Sequence, residues 1–247
     1  MIGICAALYS VVGILTSFGL SLGGVAFWPA VVIPSIFAVL FGPWVGGTGA
    51  AIGIFIRDLL YHGDPLLSLT AGVTSNFAMC FLIGYISRAN LTRKKLSLSL
   101  LIGGAVVIGG LVLPTALLPE ASVLYTGLTS SDILVLLTVT IVASTLGVAV
   151  LATFKKEWVN FSIGALLGQS VGATIVTIAV WIYSNLFFSQ NGYFQEPILA
   201  AFVPLVFVWT IATELPFVLL FGPPIIKICY NAFPSLRLSQ KTEQQAT

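Results

Sequence analysis

The stretch Leu82-Ile-Gly-Tyr-Ile-Ser-Arg88-Ala-Asn-Leu-Thr-Arg93-Lys94-Lys95-Leu-Ser-Leu-Ser-Leu-Leu101 decides the fold, because a tight basic cluster here separates two long apolar runs. Two more clusters punctuate the chain in the same way: Lys155 with Lys156, and Lys227, Arg237 and Lys241 near the C-terminus. Of ten basic residues, only Arg57 stands apart from them. Short loops rich in Lys and Arg stay on the cytoplasmic side of a membrane, so all three clusters are expected on one face.

Composition agrees with a membrane solvent. A soluble domain carries about 25% charged residues; this chain carries 7%, with 58% hydrophobic residues and a mean hydropathy of +1.08. The formal net charge is +2, with no basic stripe of the kind that binds nucleic acid, and that class is excluded. Cys5, Cys80 and Cys229 are far apart, lack C-x-x-C spacing and read as small packing hydrophobes. The N-terminus is apolar from Ile2 without a basic leader region, and reads as a retained first span.

A spanning helix needs about 20 apolar residues. Eight stretches qualify: Ile2 to Leu20, Val25 to Gly42, Trp44 to Leu60, Leu66 to Ile86, Leu96 to Leu118, Ile133 to Phe154, Phe161 to Phe187 and Pro197 to Phe221. Alternation then puts every basic cluster inside and Asp64, Glu120, Asp132 and Glu196 outside. The expectation is an all-α polytopic transmembrane bundle of about eight helices, multi-pass in the cell membrane, with both termini cytoplasmic. Segments two and three could instead form one broken hairpin around Gly42-Pro43. Residues 1–230 form one transmembrane domain, and 231–247 a disordered cytoplasmic tail with too little apolar area to fold.

Helix three is rich in small residues, among them Gly46, Gly47, Gly49, Ala50 and Gly53, with Ala6, Ala7 and Ser10 a milder version on helix one. Small-x-x-x-small pairs allow close backbone approach in lipid, either within the bundle or against a partner subunit. Arg57-Asp58 reads as an ion pair or gate near the outer end of helix three. His62 lies four residues beyond Asp58, yet one histidine beside hard carboxylates is a weak metal set, and an interfacial salt-bridge cluster is favoured. Glu214 is an isolated acid inside a span, where a charge costs about 2.5–3.5 kcal/mol, so it faces a cavity or partner or stays protonated. The alternative is that it satisfies backbone groups freed by Pro216.

Asn76 and Gln169 carry primary amides suited to a heterocyclic ligand. Aromatic residues gather toward the outer face as an interfacial belt, and of these Trp28 and Trp181 are the two expected to stack on a flat ring. The candidate substrate residues are therefore Trp28, Asn76, Trp181 and Glu214. There is no phosphate loop, H-E-x-x-H or G-x-S-x-G motif, and a single histidine makes an acid/base pair hard to assemble. No catalytic residue, metal or cofactor is expected, and the chain is not read as an enzyme.

Several motifs together resemble a known family. Ala6-Ala-Leu-Tyr-Ser10, Phe27-Trp-Pro-Ala-Val-Val-Ile-Pro34, Leu40-Phe-Gly-Pro-Trp-Val-Gly-Gly47, Ala50-Ala-Ile-Gly53, Arg57-Asp58 and Asn76 followed by Leu82-Ile-Gly-Tyr85 look like the substrate-binding S component of energy-coupling factor (ECF) transporters. The resemblance covers about residues 1–90 and leaves room for a six-helix core within the eight. It implies capture of a vitamin or related small organic micronutrient from outside, in a pocket closed by the loop between helices one and two. Delivery would then use a membrane T subunit and two cytoplasmic ATPases. It also implies that Ala6, Ser10, Gly49 and Gly53 form the face that meets the T subunit. Ile2 stands where the metal-uptake branch has histidine, so an organic substrate is expected.

Two other classes compete. One is a self-sufficient proton-coupled secondary transporter that uses Glu214 as its proton site and Arg57-Asp58 as a gate. The other is a scaffold without a ligand.

Overall fold

The computed structural model describes residues 1–17, 21–89, 158–190 and 192–236, with scattered helical positions between 131 and 146. The expected helices over Leu96 to Leu118 and Ile133 to Phe154 fall almost wholly outside the described residues. So do Arg93, Lys94, Lys95, Lys155, Lys156 and the tail from Arg237.

The described residues form an all-α membrane bundle of six principal helices: α1 Ile2–Thr16, α2 Val32–Phe41, α3 Pro43–Tyr61, α4 Pro65–Arg88, α5 Val159–Leu186 and α6 Val203–Ala232. Of these, α4, α5 and α6 are long and apolar enough to cross a membrane on their own. Between α1 and α2 the chain makes a small hairpin, β1 Ser21–Leu22 and β2 Val25–Ala26. Gly23 and Gly24 turn it at φ +54° and +78°, the left-handed pair that a two-residue hairpin turn demands.

This hairpin corrects the expected second span. The apolar run from Val25 is broken by Trp28-Pro29: it leaves β2, makes one 3₁₀ turn over Pro29–Val31 and only then becomes helix. Gly42, at φ +108°, joins α2 to α3 with no intervening loop, a conformation closed to side chains with a Cβ. The two helices fold back closely, since a Cβ on Gly46 would lie 2.2 Å from that of Ala38. The broken hairpin foreseen at Gly42-Pro43 is therefore what forms.

The last helix also differs from expectation. It starts at Val203 rather than Pro197 and runs through Pro216, Pro223 and Pro224 to Ala232, beyond Phe221 and into the segment assigned to the tail. Prolines within membrane helices are tolerated where neighbouring groups satisfy the freed carbonyls.

Small residues set the packing. On α5, Gly164, Gly168 and Gly172 recur every four residues along one face, and a Cβ at these positions would strike Ile83, Met79 and Ser75 of α4 in that order. The two helices thus run antiparallel with their backbones nearly touching. At one end of this pair the Asn160 side-chain amide donates to the Ala89 carbonyl at 2.6 Å, so the chain leaves α4 and enters α5 at adjacent points. Arg88 closes the same end of the bundle by donating from Nε and Nη2 to the Val39 carbonyl at 3.3 and 3.1 Å. These bonds satisfy an orphan acceptor in the last turn of α2.

Small residues also set the α1–α3 contact. Ala6 and Ser10 are buried. A Cβ on Gly49 would lie 2.6 Å from the Cys5 sulfur, and one on Gly53 2.8 Å from the Ala6 carbonyl oxygen. Gly49 and Gly53 thus let α1 approach α3 closely, because such approach is possible only where side chains are absent.

Candidate functional site

At the end of the bundle opposite Arg88, the β1–β2 hairpin lies over an internal cavity. The hairpin is fastened from two sides. Trp209 of α6 donates its indole N–H to the Val25 carbonyl at 2.9 Å, and Tyr193, in the connection from α5 to α6, donates to the Gly24 carbonyl at 3.3 Å. Phe194 packs so tightly on Gly24 that a Cβ there would meet its ring at 2.6 Å. The cavity beneath measures about 80 Å³ and is lined by the hairpin, α3, α4, α5 and α6. On the other side of Gly24 lies an open vestibule of about 460 Å³ between Tyr61, Tyr193 and Glu196.

The first half of α4 shapes one wall. Residues Ser68–Val73 form a π-helical turn, a local widening common at functional sites. It brings Gly72 against Asp58, so that a Cβ on Gly72 would lie 2.5 Å from Oδ2, while Ser68 donates to that oxygen at 2.8 Å. The turn also presents Ser75 and Asn76 to the cavity.

Arg57 and Asp58 are both buried and paired, with Nη1 to Oδ1 at 3.1 Å. The guanidinium is sandwiched between aromatic faces, 4.5 Å from the Trp28 centroid and 4.2 Å from that of Tyr61. Such stacking favours Arg over Lys, since only a planar cation can use both faces. Its Nη2 is buried without a hydrogen-bond partner, a costly state for a charged donor.

A second network crosses between helices. The Trp28 indole N–H donates to the Tyr9 hydroxyl at 2.6 Å, and Tyr9 in turn donates to Asn76 Oδ1. The Asn76 amide nitrogen donates to the Gly72 carbonyl at 2.9 Å. Tyr9, on α1, had no place among the sequence candidates; its role follows only from α1 packing tightly on α3. On the far wall Glu214 of α6 accepts a hydrogen bond from the buried Gln169 of α5.

Of the four candidate substrate residues, the fold therefore brings Trp28, Asn76 and Glu214 to one cavity. Trp181 is not among its walls: it is partly buried against the apolar cluster of Val180, Tyr183 and Phe202, of which Val180 itself lines the cavity. His62, weighed from sequence only as part of an interfacial cluster, also lines the cavity, and so do Gly24, Gly72, Ser75 and Met79, which were not singled out. Sequence offers no marker for them beyond the glycines, since a π turn has no residue signature.

The cavity rim holds the titratable groups. His62 Nε2 lies 3.9 Å from Asp58 Oδ1, and its ring packs on Tyr193 at 5.1 Å. Burial holds the His62 pKa below its ordinary 6.5, Asp58 and Asp64 pulling upward without prevailing. Asp64 caps α4, accepting from the Leu66 and Leu67 amides at 3.0 Å and from the Tyr183 hydroxyl. Burial works against its charge, but these three hydrogen bonds prevail and hold its carboxyl below the usual range. Burial pushes the Tyr193 phenol up to about 12. Among the described residues, no three His, Cys, Asp or Glu side chains gather where a metal could sit. The arrangement offers hydrogen bonds, a cation and aromatic faces to a small polar ring.

No curated protein and no solved structure matches the chain. The family model described as ECF-type riboflavin transporter, S component, matches residues 1–154, more than half of it. The match takes in α1 to α4, with Trp28, Arg57, Asp58 and Asn76; Gln169 and Glu214 lie beyond it.

Proposed function

The chain belongs to the family of ECF-type riboflavin transporter S components, the substrate-binding subunits of energy-coupling factor importers, and from that premise we propose that it captures a flavin-like vitamin in the cavity beneath the β1–β2 hairpin. The observation that supports this most is the convergence of Trp28, Arg57, Asn76 and Glu214, from four different elements, on one cavity. A flat ring gains from aromatic walls, and its polar edge gains from fixed donors and acceptors.

The hairpin end of the bundle faces outside and the Arg88 end faces the cytoplasm, in a multi-pass arrangement in the cell membrane. The basic residues Arg88 and Lys227 support this orientation. Ligand pockets usually span about 300–1,000 Å³, so at about 80 Å³ the cavity is a contracted state. Capture opens it toward the vestibule by lifting the hairpin from Tyr193 and Phe194. Delivery uses a membrane T subunit and two ATPases, and no chemistry is done on the cargo. The T subunit meets the small-residue face of α1 and α3 around Ala6, Ser10, Gly49 and Gly53, together with the outward side of α1 near Gly3, where a Cβ would meet nothing within 4 Å.

Titration of the purified chain with riboflavin, followed by quenching of flavin fluorescence, tests the proposal. Saturable one-site binding without ATP supports it, and no binding up to millimolar ligand rejects the flavin assignment. Uptake into proteoliposomes made with this chain alone, abolished by Glu214→Gln, would instead establish the proton-coupled transporter.

A further inference from the structure

The hydrogen bonds around the cavity leave few groups free for a ligand. Asn76 is occupied at both ends, by Tyr9 and by the Gly72 carbonyl. Ser75 donates to the Gly72 carbonyl at 3.1 Å and Thr210 to that of Val206 at 2.8 Å. Asp58 accepts from Arg57 on one oxygen and from Ser68 on the other. Arg57 Nη2 remains, a buried cationic donor without a partner. Glu214 lines the same cavity from α6, and its Oε2 accepts from Gln169, leaving Oε1 for an incoming donor.

Arg57 cannot turn away to find another acceptor. One side of its fork is tied to Asp58, and Trp28 and Tyr61 hold both faces of its plane. A donor fixed in this way is preorganised for an oxygen delivered into the cavity, and leaving it unpaired penalises ligands without one. Glu214 selects for an N–H by the same logic.

We infer that Arg57 and Glu214 are the specificity pair of this site, and that together they read a ring edge on which a carbonyl oxygen stands next to an N–H: Arg57 Nη2 donates to the oxygen, and Glu214 accepts the N–H. The class of substrate is therefore a neutral imide, ureide or lactam heterocycle. This rests on the cavity being the capture site, and it adds to that reading which two groups choose the cargo. Asn76, a wall of the same cavity, also holds Tyr9 and through it Trp28 in place.

The test is equilibrium binding of riboflavin, N3-methylriboflavin, biotin and thiamine to the purified chain and to its Arg57→Lys and Glu214→Gln variants, with circular dichroism and thermal melting reporting whether each variant is folded. Arg57→Lys keeps a positive charge beside Asp58 but removes the fork. The expected result is riboflavin binding weakened at least tenfold by either variant, with N3-methylriboflavin weakened on the wild type by a similar factor and not further by Glu214→Gln. If riboflavin binds and folded variants bind it as the wild type does, the specificity pair is refuted while flavin capture stands. If riboflavin fails but biotin, a ureide, binds in an Arg57-dependent way, the flavin assignment falls and the pair stands. Binding of thiamine alone, which lacks such an edge, or of none of the four, overturns the pair.

Discussion

Replacing Gly53 by Ala tests the close packing of α1 on α3. Its new Cβ would lie 2.8 Å from the Ala6 carbonyl oxygen and 2.9 Å from the Tyr9 ring, where ordinary contact begins at 3.4 Å. Helix α1 must therefore retreat by about 0.6 Å, since a backbone oxygen cannot swing aside as a flexible side chain can. Overpacking of this kind costs about 1–3 kcal/mol. The helix-propensity gain of Gly→Ala, up to about 1 kcal/mol, offsets part of it. Gly3→Ala is the control, because it shares much of that gain and its Cβ meets nothing within 4 Å. At roughly 2–4 °C per kcal/mol for a chain of this size, Gly53→Ala should melt about 2–12 °C below Gly3→Ala in detergent, with no partner present. Tyr9 moves with α1, so the variant should also bind substrate more weakly. Equal melting temperatures for the two variants would refute the internal packing.

Other outcomes follow from particular contacts. Tyr9→Phe removes the hydroxyl between Trp28 and Asn76, leaves both of their polar atoms buried and unpaired, and should cost about 1–3 kcal/mol in chemical denaturation along with loss of ligand affinity. Trp181→Phe should leave riboflavin affinity within twofold of the wild type, whereas Trp28→Phe should lower it markedly, as read by the same fluorescence titration. The fold should also lose stability on acidification. Asp64 has a depressed pKa, so the folded chain binds fewer protons there than the unfolded chain; its contribution is present above the ordinary carboxylate range and is lost as pH falls through it. His62 has the same sign, its contribution being lost as pH falls below about 6.5. Melting temperature measured from pH 8 to pH 4 should fall, and Asp64→Asn should flatten the acidic part of that curve.

Sequence made the membrane class and three of the eight expected spans legible, because hydropathy and length alone govern a span. Helices α3, α4 and α5 agree with their expected bounds to within two residues. What escaped was local geometry hidden in apolar text. Val25 and Ala26 look like the start of a span, yet Gly23-Gly24 turns the chain and Pro29 delays the helix. Small residues announced close packing on α1 and α3 but not which of them meet, and the fold sets Gly49 on Cys5 and Gly53 on Ala6. Three of four candidate substrate residues reach one cavity, since Trp28, Asn76 and Glu214 were conspicuous as a buried ring, an amide and an acid. Trp181 carried the same sequence signal and packs elsewhere, for helix rotation is set by contacts such as those of Gly168 and Gly172 with α4, which no single residue type records. The stacking of Trp28 on Arg57 was likewise invisible, because Trp28 reaches it from the β1–β2 hairpin side, whereas Tyr61 lies four residues on along the same helix.

The most direct measurement is a structure of the chain determined with riboflavin bound. The flavin ring should lie beneath the β1–β2 hairpin, between Trp28, Arg57 and Glu214, with the hairpin displaced from Tyr193 and Phe194. Ligand density confined to the vestibule, to the lipid-facing surface or to the Arg88 end of the bundle, with the cavity unchanged, would contradict it.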